Sequence, residues 1–125
     1  PTIRRMTLSL SGLRTVIYPS TDLAADTAWW STLLGQQPYF DQPFYVGFNV
    51  GGYELGLLPS ADPLDGALVY WGVDDVAAAV GESIANGSVE HTPIADVGEG
   101  IVTATVRTPS GSILGLIFNP HFHLG

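Results

Sequence analysis

Apolar and polar positions along the chain run through the same order of periods twice. The run LRTVIYP at 13–19 is rich in β-branched and aromatic side chains and predicts a strand. Thr21 or Asp22 then offers an N-cap, and a helix is predicted from there to Gly35, a residue suited to a left-handed C-terminal stop. Leu23, Trp30 and Leu34 lie seven and four apart and so mark one face of that helix. QPYF, FYVGFNV and YELGLL follow, separated by DQP and GG, and predict three strands joined by tight turns.

The second half repeats the order. ALVYWGV at 67–73 predicts a strand, and Asp74 or Asp75 caps a helix carrying Val76, Val80 and Ile84 on one face. Asn86-Gly87 stops it, and VEHTPIA, IVTATVR and SILGLIF predict three more strands, with VGEG at 97–100 as a hairpin turn. Asp22 and Asp75 are 53 positions apart and Gly56 and Gly115 are 59 apart, so the second copy holds a few extra residues between helix and last strand. The repeat is strand, helix, three strands, twice. Ahead of it, MTLSLS alternates Met6, Leu8 and Leu10 against Thr7, Ser9 and Ser11, which predicts a half-buried extra strand or an arm.

Composition narrows the class of partner. A chain of 125 residues is one ordinary domain, or two half-size units sharing a core. It has no cysteine, which excludes thiol chemistry and disulfide scaffolds. Twelve acidic residues face four arginines and no lysine, for a formal net charge of -8. Nucleic acid and anionic membrane are poor partners for such a chain, whereas a cationic ligand is attracted to it. No signal-peptide core and no apolar run of membrane-spanning length is present, so a cytoplasmic location is expected. Nucleophile elbows, P-loops and dinucleotide fingerprints find no support.

VIYPSTDLAADTAWWSTLLG, YWGVDDVAAAVGESIANG and TPSGSILGLIFNP resemble the recurring signatures of the vicinal oxygen chelate superfamily, which includes glyoxalase I, extradiol dioxygenases, fosfomycin-resistance enzymes and bleomycin-resistance proteins. The resemblance runs from Leu13 to Pro120 and is specific for fold more than for activity. It implies an α+β fold over 1–125, with two βαβββ modules at about 13–59 and 67–120. Their sheets curl into a cup, with the helices on its outer face. Metal-dependent members hold a divalent ion from four positions, early in the first strand and late in the fourth strand of each module. Those positions match Thr15, Leu68 or its neighbour Gly66, Gly56 and Gly115; a slip of the alignment brings Glu54 toward the late position of the first module. Such a set lacks the imidazole and carboxylate donors a divalent ion wants, so neither metal nor other cofactor is expected.

Strand alternation shows what the cup offers instead. In phase with those four positions are Thr15 and Ile17, Glu54 and Leu58, Leu68 and Tyr70, and Ile113 and Ile117. Val102, Ala104 and Val106 suit the helix side, which leaves Thr103, Thr105 and Arg107 to the cup. With Val46, Phe48 and Val50 in the core, Tyr45 and Asn49 line the pocket. Gly56 and Gly115 either let a ligand or backbone approach the sheet closely or relieve crowding where the cup narrows. Glu54 and Arg107 either anchor a charged ligand, pair with each other across the cup, or lie at its rim in water. The tryptophans Trp29, Trp30 and Trp71 read as core or interface.

The resulting expectation is a metal-free protein that binds a small organic molecule, cationic by charge complementarity, with drug sequestration as one use. Thr15, Tyr45, Asn49, Glu54, Gly56, Tyr70, Thr103, Thr105, Arg107 and Gly115 form the binding set, and no catalytic residue is identified. The alternative is a lyase, isomerase or dioxygenase of the same superfamily, its metal held by Glu54 with His121 or His123 of the His-X-His tail. A cup filled by its own side chains in a partner-binding module is a third reading. Many relatives are dimers, which implies a homodimer here.

Overall fold

The structure is a computed structural model that describes residues 8–124. It divides into two compact units, one of residues 14–69 with 122–124 and the other of 8–13 with 70–121.

In the first unit the chain runs β1 (Gly12–Pro19, of which 14–19 lie here), α1 (Leu23–Leu34), β2 (Phe40–Gln42), β3 (Tyr45–Val50) and β4 (Tyr53–Leu58). The strands lie in the order β2-β3-β4-β1, with β2, β3 and β4 antiparallel and β1 parallel to β4. Asp22 starts α1 by accepting a hydrogen bond from the Ala25 amide at 3.1 Å, and Gly35 ends it at φ 66°, a conformation that costs glycine little. Leu23, Trp30 and Leu34 pack on Val46, Phe48 and Leu57, the fully buried residues of this unit. Tyr18 adds a stacked ring against Trp30 at 5.4 Å. The predicted seven-and-four stripe is therefore the one that packs on the sheet, half-buried.

In the second unit β5 (Leu68–Gly72, of which 70–72 lie here) is followed by α2 (Val76–Ala85), β6 (Val89–Asp96), β7 (Val102–Arg107) and β8 (Ile113–Phe118). The order is β5-β8-β7-β6, antiparallel from β8 through β6. Asp75 caps α2 through the Ala78 amide at 3.0 Å. Val73, Val76, Ala79 and Val80 close over Ala104, Val106 and Leu116, as the parity of IVTATVR predicts. The chain is thus an α+β protein of two βαβββ modules.

Four sequence expectations need correction. QPYF and the DQP turn give way to a strand at Phe40–Gln42, because Asp41 and Gln42 pair with Val46 and Tyr45 across a turn at Pro43 and Phe44. Val50 is exposed rather than core, since it is the last residue before the Gly51-Gly52 turn. The buried face of α2 is Val76, Ala79, Val80 and Ser83, the i, i+3, i+4, i+7 set, which leaves Ile84 largely exposed. Positions 8–11 form no strand; Leu8 packs on the second core while Leu10 stays exposed, and Met6 and Thr7 lie outside the described residues. A short 3-10 turn over Pro63–Asp65, capped by Asp62, was not foreseen. Among the described residues no helix is long and apolar enough to cross a membrane.

Candidate functional site

In the first unit, side chains that alternate with the helix-packed core stand on the opposite, open face of the sheet. Thr15, Glu54 and Asn49 form one row across β1, β4 and β3, being direct partners in register, and Gly56 and Gly47 are direct partners beside them. Two facing glycines leave a side-chain-free floor, and the unit's own aromatic residues lie on it. A Cβ on Gly56 would sit 2.6 Å from Cζ of Tyr45, and one on Gly47 would sit 2.7 Å from Oε2 of Glu54 and 3.0 Å from Cε1 of Tyr39. The 2.6 and 2.7 Å contacts are closer than real Cβ atoms adopt, so both glycines are needed for these groups to lie where they do. The close approach at Gly56 is made by the Tyr45 side chain, not by the backbone, and the glycine relieves that crowding.

Glu54 is half-buried, and two hydroxyls donate to its carboxylate: Thr15 Oγ1 to Oε1 at 3.5 Å, and the Tyr39 phenol to Oε2. The Tyr39 amide donates to Gly47 O at 3.0 Å and holds this residue beside the floor. Around it Phe40 meets Tyr39, Phe44 and Tyr45 at centroid distances of 6.5, 6.0 and 6.2 Å with tilts of 54°, 66° and 52°. Tyr39 and Phe44 are 63% and 65% exposed and Phe40 is 37% exposed, so ring surface faces outward beside a carboxylate. Asn49 serves the turn instead, its Oδ1 accepting from the Gly52 amide at 2.9 Å and its carbonyl from Gln36 Nε2 at 2.7 Å.

Sequence reasoning found Tyr45, Glu54 and Gly56 but missed Tyr39, Phe40, Phe44 and Gly47. Five aromatics between positions 39 and 48 were the available signal.

The open face of the second unit is built differently. Thr105, only 1% exposed, stands opposite Gly115, and its Oγ1 accepts from the Thr92 amide at 3.1 Å. It shares further hydrogen bonds with Thr92 Oγ1 at 2.6 Å and His91 Nδ1 at 2.9 Å. A register shift between Glu90 and Thr92 turns His91 to this face, the usual effect of a bulge. Thr103 pairs with Ile117, and Arg107 Nη1 donates to Gly111 O at 2.9 Å across the following turn. Tyr70 is buried, and loss of solvent pushes its phenol above the ordinary value, so it is neutral at physiological pH. His121 binds the Glu99 carbonyl through Nε2 at 2.9 Å. The groove on the outer side of α1, about 430 Å³ in volume, is lined by Ala28, Trp29, Thr32 and Leu33 and holds no ionisable side chain.

No protein-family model and no curated protein matches the chain. Solved structures do. Streptomyces coelicolor methylmalonyl-CoA epimerase in complex with 2-nitronate-propionyl-CoA superposes with a TM-score of 0.69 at 16% identity, covering 94% of this chain and 100% of its own. A glyoxalase/bleomycin resistance protein/dioxygenase superfamily member from Vibrio splendidus gives 0.62 at 20% identity, covering 85% and 97%. The chain has the vicinal oxygen chelate fold. A Legionella pneumophila structure described as an NAD-dependent benzaldehyde dehydrogenase gives 0.66 at 17% identity, covering 83% and 96%. An epimerase and a dehydrogenase share the likeness, so it fixes the fold and leaves the reaction open.

The vicinal oxygen chelate fold implies a divalent ion, and the residues present do not fit one. In the first module the register sets Glu54, rather than Gly56, opposite Thr15, so that module supplies one carboxylate and one hydroxyl. In the second, Leu68 is buried and apolar and Gly115 has no donor. Among the described residues no three His, Asp or Glu side chains gather into a metal-holding group.

Proposed function

We propose that the open face of the first unit binds a small organic molecule without a metal, held by ring contact and one carboxylate. The observation that carries this reading is the cluster of Tyr39, Phe44 and Tyr45 around Phe40, with Tyr39 also bonded to Glu54 and both tyrosines lying on the Gly47–Gly56 floor. Aromatic surface with a few fixed polar groups is the usual make-up of a ligand site. The fold shared with a bleomycin-resistance superfamily member is consistent with sequestration of the bound molecule as the biological use.

The test is calorimetric titration of chelator-treated protein with a panel of cationic and neutral aromatic compounds. At least one compound is expected to bind, and Phe44→Ala, a change at an exposed ring, is expected to weaken it about tenfold, or 1.4 kcal/mol. Binding that appears only after a divalent metal is restored, or that Phe44→Ala leaves intact, overturns the reading.

A further inference from the structure

We infer that the ligand class of this site is an organic cation whose charge is spread over alkyl groups, such as a quaternary ammonium, rather than a primary amine. The inference rests on the binding reading above and specifies its chemistry. Phe40 has three ring neighbours at 6.0 to 6.5 Å, each tilted against it by 52° to 66°, so none of them stacks on its face. The electron-rich faces of such rings attract a cation within about 6 Å of the centroid, and most strongly one that sheds its water easily.

Glu54 supplies the formal charge at this site. Each of its oxygens already accepts from a hydroxyl, Thr15 on one side and Tyr39 on the other. With two of its roughly four lone-pair sites taken, it leaves fewer directed acceptors than the three a primary ammonium needs to replace its hydration. A quaternary ammonium needs none and gains from the methyl-to-ring contacts. The chain's formal charge of -8 adds long-range attraction for any cation.

Three probes on the full chain separate the possibilities: benzyltrimethylammonium, benzylammonium and benzyl alcohol, each titrated by calorimetry against wild type and Glu54→Gln, with circular dichroism confirming that the variant is folded. Benzyltrimethylammonium is expected to bind about tenfold or more tightly than either other probe, and Glu54→Gln is expected to remove most of that margin while leaving benzyl alcohol unchanged. Equal binding of all three, or a preference for benzylammonium, overturns the ligand class and leaves the binding reading standing. Failure of all three on wild type, alongside a hit in the wider panel, likewise overturns the class alone. Failure of every compound overturns both.

Discussion

The two units share an element order and differ at a matching place on their open faces. Gly56 in β4 and Gly115 in β8 occupy matching positions in YELGLL and SILGLIF, and each faces a residue on the preceding strand. In the first unit that residue is Gly47, and rings cover the bare patch. In the second it is Thr105, whose hydroxyl is consumed by His91 and Thr92. One side chain opposite a glycine thus separates a face that presents rings and charge from a face whose polarity is turned inward. Duplicated scaffolds can part ways in chemistry without any change in backbone order.

The comparison can be broken at its cores first. Phe48→Ala removes the largest buried side chain under α1 and should cost about 3–5 kcal/mol in urea unfolding; a much smaller loss would show the first unit's core to be dispensable. Thr105→Val leaves the Thr92 amide, the Thr92 hydroxyl and His91 without this partner and should cost about 1–3 kcal/mol, while Thr15→Val loses one long bond and should cost under ~1 kcal/mol. Equal losses from the two threonine variants would erase the distinction between the faces.

Gly56→Ala should cost about 1–3 kcal/mol by driving the Tyr45 ring off the floor, and the loss should shrink in the Gly56→Ala/Tyr45→Ala double variant. Simple additivity in that cycle would mean that the ring and the glycine are unconnected. The helix caps give the smallest effect and the best control: Asp22→Ala and Asp75→Ala should each cost about 1 kcal/mol, since both carboxylates accept one amide hydrogen in the same way. Thermal melts of the two variants should therefore shift alike.

Both helices, the stripe of α1 and the two core valines of α2 were legible because each follows from a local period, and residue type narrowed each cap to two adjacent positions. The open face was less legible. Alternation placed Glu54, Tyr45 and Gly56 together, since a strand of regular pleat keeps its parity. It could not place His91, because a bulge resets parity and leaves no mark in the hydrophobic pattern. Nor could it place Tyr39 and Phe40, which lie at the edge of a three-residue strand too short to show a period. Nor does any period single out Gly47, whose size is explained by the Tyr39 ring and Glu54 carboxylate above it.

One edge strand in each unit has a consequence for behaviour at high concentration. β2 is three residues long, and β6 slips register twice and carries Pro93 in its middle. Neither offers the long, even ladder of main-chain donors that a foreign strand needs for zippering on. Fibril seeding should therefore demand prior unfolding, and the native protein should tolerate crowding that would coagulate a sheet with straight, unguarded margins.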